Sequence, residues 1–153
     1  MNETAYKWKV WKYKADPNEA GKVCEELANT IGLTSANLVD ASRPEDAPLH
    51  DDFEWDDSVA AEKFRQEQAS TIIRNLVVVS EESKTEPYRG FFAIDMVKTE
   101  PHTYEPTHVI MSDEGKRNKL LQIALAELRT FKHKYEQLTE LSEIFEAIER
   151  VTA

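Results

Sequence analysis

The chain has 153 residues, of which 41% are hydrophobic and 9% are aromatic, enough to form one compact core. Its single cysteine, Cys24, excludes an intramolecular disulfide and a thiol-based metal cluster within one chain. No stretch approaches the ~18 consecutive apolar residues of a membrane span. We therefore expect a cytoplasmic protein with no membrane partner.

The net charge of -10 is unevenly distributed along the chain. Residues 1–14 carry +3 and residues 15–58 carry -10, whereas residues 59–111 carry -2 and residues 112–153 carry -1. This balance repels a phosphate backbone at long range. A nucleic-acid contact would have to be confined to a local basic patch.

The first apolar segment, residues 6–14, alternates aromatic or aliphatic residues with lysines, which predicts a strand with a bulge at Val10-Trp11. In one interpretation the lysines protect an edge strand from pairing with other chains. In the other, the strand stacks bases and binds phosphates. The second interpretation makes five residues candidates for nucleic-acid binding: Lys7, Trp8, Lys9, Lys12 and Lys14.

Two helices are predicted next in the chain. Asp16 and Pro17 supply an N-cap and a first helical residue, and Gly32 supplies a C-terminal stop. A second, short helix begins at Thr34 or Ser35, and the residue before Pro44 ends it.

The spacing of these two helices fits a helix-turn-helix, and a plain αα-hairpin is the alternative. The second helix has no basic residue before Arg43, and Asp40 would repel phosphates. If the unit reads DNA, Asn37 and Arg43 are the candidate contacts.

Residues 45–57 form an acidic loop that Phe53 and Trp55 are expected to anchor in the core. Its carboxylates, with His50, could serve a hard cation such as Mg²⁺, although the spacing matches no EF-hand. The simpler interpretation is a solvated loop whose acids cap a helix. Asp51 and Asp52 are the candidates for contact with a protein partner.

A third helix and three strands are predicted for the middle of the chain. The helix spans residues 58–76, with Arg65 outside its buried stripe. Its predicted buried residues are Val59, Ala60, Phe64, Ala69, Ile72, Ile73 and Leu76. The three predicted strands cover residues 76–79, 89–97 and 108–111, with a loop at 99–106, and together form one antiparallel meander.

The last predicted element is a helix over residues 113–150. Its apolar stripe repeats about every 3.4 residues, close to the period of a supercoiled seam. Either the helix supercoils in an oligomer or it breaks near residues 133–137. At the basic start of this helix, the candidates for nucleic-acid binding are Lys116, Arg117 and Lys119. On its apolar stripe, the candidates for contact with a protein partner are Leu138, Leu141 and Phe145.

No catalytic or cofactor motif is present in the sequence. The four histidines lack the spacing of a zinc site, and no serine lies in a Gly-x-Ser-x-Gly motif. The four glycines form no phosphate-binding loop. We therefore expect a protein without enzymatic activity, cofactor or metal.

The run from Pro48 to Arg74, with the pattern Pro-Leu-His-x-x-Phe-Glu-Trp-Asp-Asp, resembles a group of short bacteriophage and prophage proteins. Further similarity lies in Gly32-Leu33-Thr34 with Leu38-Val39, and in residues 131–138. The resemblance implies action in the cytoplasm of a bacterial host. It assigns no activity and no functional residue.

These patterns predict an α+β fold with an N-terminal strand, a helical hairpin, an antiparallel meander and a long C-terminal amphipathic helix. Residues 1–111 would form the globular domain and residues 112–153 the packing or oligomerisation segment. The leading hypothesis is a non-enzymatic, self-associating phage or prophage protein that binds DNA or a nucleoprotein complex. The alternative is an interaction module whose acidic loop engages or inhibits a host protein, with nucleic-acid mimicry as one route.

Overall fold

The computed structural model describes residues 4–59, 61–79, 86–95 and 102–153 of a mixed α+β fold. The strands and helices, in chain order, are β1 (Ala5–Trp8), α1 (Pro17–Asn29), β2 (Leu33–Thr34), α2 (Ser35–Ala41), α3 (Glu62–Arg74), β3 (Leu76–Val79), β4 (Tyr88–Arg89), β5 (Phe91–Ala93), β6 (Thr103–Pro106), α4 (Thr107–Ser112), α5 (Glu114–Tyr135) and α6 (Ser142–Thr152).

The strands form two antiparallel sheets, ordered β1-β3-β4 and β2-β6-β5, so the predicted single meander is wrong. The chain passes from one sheet to the other at Gly90, which divides the predicted strand 89–97. The Gly90 amide donates to Leu76 O (3.0 Å) in the first sheet, and its carbonyl accepts from Thr107 N (2.8 Å) beyond the second. Residues 96 and 97 lie outside the described residues.

Strand β1 lies at an edge of its sheet, as the first interpretation of its lysines predicted. It is shorter than predicted, because the chain turns after Trp8 and leaves the side chain of Trp11 fully exposed. The predicted bulge at Val10-Trp11 is therefore a turn beyond the strand.

The segment before the last helix also differs from its prediction. Residues 103–106 form β6 rather than a loop, and the predicted strand 108–111 lies in helix α4. Pro106 precedes that helix in an extended conformation, with φ -61° and ψ 139°. A short apolar run has no periodicity that separates a buried strand from a buried helix, which explains the error. Residues 99–101 lie outside the described residues.

The predicted boundaries of α1 are confirmed. The Asp16 side chain accepts from the amides of Asn18 (2.8 Å) and Glu19 (3.2 Å), and Gly32 adopts a φ of 102° beyond the helix. The connection to α2 is not a simple turn, because Leu33 and Thr34 pair with β6. The connection between the two helices is therefore a strand in a sheet, which differs from the free turn of a helix-turn-helix.

The core lies between the first sheet, α1, α2 and α3. The Tyr6 ring stacks on Phe91 at a centroid distance of 5.6 Å. It also fills the space above Gly21, where an added Cβ would lie only 2.1 Å from Tyr6 Cδ2, so the close contact between β1 and α1 requires glycine. Phe53 is buried and Trp55 packs beside it, which confirms the predicted anchoring of the acidic loop.

Helix α3 begins at Glu62, four residues later than predicted. Ala69, Ile72, Ile73 and Leu76 are buried as expected, whereas Val59 and Phe64 are exposed and Ala60 lies outside the described residues. Arg65 was predicted to be exposed and is buried. Its guanidinium donates to Glu54 O (3.1 Å) and Asp57 Oδ1 (2.6 Å), so the arginine is buried because it holds the acidic loop.

Of the two alternatives for the C-terminal helix, the structure shows the break near residues 133–137. Helix α5 ends at Tyr135 and α6 begins at Ser142, and the two pack as a hairpin with Phe131 and Phe145 at a centroid distance of 6.4 Å. The Lys116 ammonium pairs with Glu105 of β6 at 2.5 Å and ties the start of the hairpin to the second sheet.

Candidate nucleic-acid interface

A row of side chains crosses the solvent face of the first sheet. Lys7 of β1 lies opposite Val77 of β3, and Val77 lies opposite Arg89 of β4. Residues that are directly opposite each other in a sheet project from the same face. The ladder continues past β1, since Lys9 N donates to Asn75 O at 2.9 Å, and Lys9 shares the face of Lys7 because it is two residues away.

Arg74, the last residue of α3, completes the group, and we call Lys7, Lys9, Arg74 and Arg89 the cationic face. With Val77 and Pro87 they enclose a surface depression of about 330 Å³. Of the six described residues that line it, four are cations and none is acidic. In a chain of net charge -10, this is the concentration of positive charge that a phosphate backbone requires.

The charges of the cationic face are held close together. Partial burial lowers the pKa of the Arg89 guanidinium, and the neighbouring positive charge of Arg74 lowers it further, against opposing effects of Tyr104 and of the Glu127 carboxylate. Arginine remains charged despite such a shift. Arg89 Nε donates to Phe91 O (2.9 Å) and its guanidinium lies 4.7 Å from the Phe92 ring centroid, so its position is well defined.

The four cations differ in their partners from the basic residues that are paired within the chain. Within the described ranges, no carboxylate forms an ion pair with any of the four, while Lys22, Arg43, Lys116 and Lys132 each pair with a glutamate. Because two like charges such as Arg74 and Arg89 repel each other, an anion that binds between them would relieve that repulsion. The geometry is therefore that of an anion-binding surface.

The structure brings together only two of the five N-terminal candidates, Lys7 and Lys9. Trp8 packs on Tyr13 and its indole donates to Ala15 O at 2.8 Å, so its ring serves the fold. Lys12 and Lys14 line a different depression of about 460 Å³, together with Asp51 and Asp52.

The helical candidates are dispersed. Asn37 donates to Gly32 O (2.9 Å) and thereby holds the α1–α2 connection. Arg43 bonds Asp40 and Glu62 at 2.9 and 2.8 Å, and hydrogen bonds to these two carboxylates raise its pKa. Lys116 is paired with Glu105, which leaves only Arg117 and Lys119 exposed at the start of α5.

The acidic loop is held mainly by its own carboxylates. Asp52 accepts from the amides of Lys14 (2.7 Å) and Ala15 (3.0 Å), whereas its neighbour Asp51 is exposed. In the part of the chain that the structure describes, no three His, Cys, Asp or Glu side chains are grouped to hold a metal ion. The carboxylates of the loop bond to separate partners and do not converge on one metal site.

Two basic residues of the cationic face, Arg74 and Arg89, were missed as site candidates from the sequence. Arg74 ends a helix and Arg89 ends a short strand, and neither position carries a local motif. Only the register that aligns Lys7, Val77 and Arg89 brings them together. The exposed Trp11, two residues beyond Lys9, was also missed.

A polar cleft of about 640 Å³ adjoins the cationic face and shares Arg74 with it. Lys63 adds a further cation to this cleft, and Glu67 adds an acid. The hydroxyls of Ser35 and Ser70 are hydrogen-bonded to each other there. Through Arg74, the polar surface thus continues from the sheet along α3.

The C-terminal partner candidates have different environments. Leu138 is exposed, Leu141 is half-buried, and Phe145 is buried between α5 and α6. Phe145 therefore stabilises the hairpin itself, and of the three only Leu138, at 46% exposed, offers a large part of its surface to a partner.

No helix in the described ranges combines the length and the apolar character needed to cross a membrane. Comparisons with protein families, with curated proteins and with solved structures found no match to this chain. The function therefore has to be argued from the residues of the cationic face and of the C-terminal hairpin.

Proposed function

We propose that this protein binds DNA through the sugar-phosphate backbone, without enzymatic activity, and that the cationic face is the contact surface. The observation that carries the proposal is the cluster of Lys7, Lys9, Arg74 and Arg89 around Val77, which has no acidic residue among its described lining. Lysine and arginine that meet phosphates give affinity without reading the sequence. We therefore expect binding with little sequence preference.

Trp11 supports a preference for unpaired bases. Its side chain is fully exposed, and it follows Lys9 by two residues, which limits their Cα separation to about 7 Å. Stacking of a base on an aromatic ring contributes roughly 1–3 kcal/mol and tolerates any base. Single-stranded DNA would let the cations hold phosphates while a base stacks on Trp11.

Fluorescence anisotropy with labelled single-stranded and duplex DNA at low salt tests the proposal. If each of the four cations neutralises one phosphate, log K falls with log salt concentration with a slope between about -3 and -4. Substitution of both Lys7→Gln and Arg74→Gln should reduce that slope by about two and weaken binding to all sequences alike.

The matched control is Lys22→Gln, because Lys22 is an exposed lysine on α1 that pairs with Glu19 away from the cationic face. It should leave the affinity and the slope unchanged. Absence of binding at micromolar protein in low salt, or equal losses for the control and the double variant, would contradict the proposal.

The acidic loop favours a second candidate, contact with a basic host protein, through one observation. Glu45, Asp46 and Asp51 are exposed at one end of the loop, while Asp52 is used internally. A pull-down from bacterial lysate should then recover a basic protein that is lost on Asp51→Lys. A partner that is retained by this variant would contradict the second candidate.

A further inference from the structure

Helix α5 has a feature that nucleic-acid binding does not explain. It is 22 residues long, yet none of its residues is buried. Leu121, Leu128 and Tyr135, seven residues apart, are 51%, 37% and 37% exposed, and Phe131 is 40% exposed. Apolar residues at this spacing form the seam between paired helices. The seam on α5 is only partly covered within one chain.

The length of α6 explains which part of the seam is uncovered. At 1.5 Å per residue, the 11 residues of α6 span about 16 Å and the 22 residues of α5 span about 33 Å. Helix α6 packs back from Tyr135, with Phe145 near Phe131 and Lys132 paired with Glu149. It therefore covers the C-terminal half of α5 and leaves the half around Leu121 open.

The charges of the two C-terminal helices indicate which partner fits the open half of α5. The open half of α5, residues 114–124, carries three Lys or Arg and one Glu, a net charge of +2, whereas residues 136–153 carry five Glu and one Arg, a net charge of -4. Two copies of α5 in contact would repel each other. A contact between α5 of one copy and α6 of another is attractive.

Helix α6 also has an apolar surface to contribute. Its inner side buries Phe145 and Ile148, while Ile144 and Val151 are 52% and 59% exposed, seven residues apart. Glu140 precedes Ile144 by four residues, and Glu143 is adjacent to it, so acids border this second stripe. On the open half of α5, Arg117 precedes Leu121 by four residues, and Lys119 is exposed nearby.

We propose that two copies of this chain form a symmetric dimer in which the exposed flank of each α6, at Ile144 and Val151, packs on the open N-terminal half of the α5 of the other copy. A two-fold axis makes each contact twice, once with each α5. The four helices then form a bundle in which every neighbouring pair has opposite charge. This interface uses residues outside the cationic face and does not depend on DNA binding.

Sedimentation equilibrium of the full chain, with circular dichroism to confirm folding, tests the dimer by charge exchange. The wild-type chain should be a dimer. Glu140→Lys with Glu143→Lys should raise the dimer dissociation constant by about tenfold or more, and so should Arg117→Glu with Lys119→Glu. All four substitutions together restore the opposite charges and should restore the dimer.

Apolar variants keep the proposal testable if a charge variant fails to fold. Leu121→Ser and Ile144→Ser should each weaken the dimer, because both remove a side chain from the proposed seam. The matched control is Ile31→Ser, which changes an isoleucine that is 72% exposed beside α1. A monomeric wild-type chain overturns the proposal, as does a dimer that Leu121→Ser and Ile144→Ser leave intact. A folded quadruple variant that stays monomeric also overturns it.

Discussion

The acidic loop and the cationic face are the two most highly charged regions of the molecule, and they use their charges in opposite ways. In the loop, Asp52 binds two backbone amides and Asp57 binds the buried Arg65. On the cationic face, Arg74 and Arg89 lie close to each other, with no ion pair to a described carboxylate. The loop charges stabilise the fold, whereas we propose that the charges of the face bind an anion.

This difference gives a criterion for separating structural from functional charge. A charged group that is satisfied inside its own chain contributes to stability, and its removal leaves its partner unsatisfied. A group of like charges without partners does not stabilise the fold. We therefore propose that such a group serves binding instead. The two regions should therefore respond oppositely when their charges are removed.

The largest effect is expected for Asp52→Ala. The substitution leaves the amides of Lys14 and Ala15 without their acceptor and releases the loop from the segment after β1. Hydrogen bonds to a charged group contribute about 1.5–3 kcal/mol each, reduced here by partial exposure. We expect a loss of about 2 kcal/mol in the free energy of unfolding, measured by urea denaturation.

Asp51→Ala is the matched control for this prediction, because it removes the adjacent, exposed carboxylate. It should change the free energy of unfolding by less than about 0.5 kcal/mol. Equal losses for Asp51→Ala and Asp52→Ala would show that the loop is stabilised by its overall charge and not by the Asp52 hydrogen bonds.

A smaller effect of opposite sign is expected on the cationic face. Arg74→Gln removes the positive charge that lowers the pKa of Arg89, so the repulsion between the two guanidinium groups disappears. The hydrogen bond from Arg74 to Thr71 Oγ1, at 3.3 Å, is long and exposed and contributes little. We expect the free energy of unfolding to stay the same or to rise by up to about 0.5 kcal/mol.

The measurement is urea denaturation of Arg74→Gln beside the DNA titration of the same variant. Weaker DNA binding with undiminished stability is the expected pair of results. A loss of stability above about 1 kcal/mol would mean that Arg74 has a structural role, and the contrast with the acidic loop would fail.

The local elements with strong chemical signals were predictable from the sequence. Asp16, Pro17 and Gly32 mark the ends of α1, whereas the apolar stripe of the last helix left a choice between a supercoil and the break after Tyr135 that the structure shows. The predictions were wrong where tertiary contacts decide. Gly90 moves the chain between sheets, and Arg65 is buried because Glu54 and Asp57 lie around it.

The candidate site was only half predictable for the same reason. Lys7 and Lys9 lie in a basic segment that composition identifies, whereas Arg74 and Arg89 join them through strand register. Register depends on which residues a partner strand presents, and a sequence without a hairpin signal between β3 and β4 does not specify it. Arg43 and Lys116, which the sequence offered as candidate contacts, are paired with carboxylates inside the chain, and that pairing depends on tertiary structure.

The smallest predicted effect concerns Asp56, at the end of the acidic loop. Ser58 donates to Asp56 Oδ1 from its hydroxyl (2.6 Å) and from its amide (2.9 Å), and these bonds lower the pKa of Asp56 below its usual 3.8. Because the folded-state pKa lies below that of the unfolded chain, the contribution to stability is present above the unfolded pKa. It is lost as the pH falls through the folded pKa.

Ser58→Ala removes the hydroxyl bond, which has the larger effect of the two, and should raise the pKa of Asp56 toward its usual value. Carbon-detected NMR titration of the Asp56 carboxyl measures this pKa directly, and Asp51 in the same spectra serves as the internal control. The stability difference between the variant and the wild-type chain should be small at neutral pH and should shrink below pH 3.8, where protonation removes the acceptor in both. An unchanged pKa for Asp56 would show that the backbone amide alone holds the carboxylate. The internal bonding of the acidic loop would then depend less on side-chain hydroxyls than its geometry indicates.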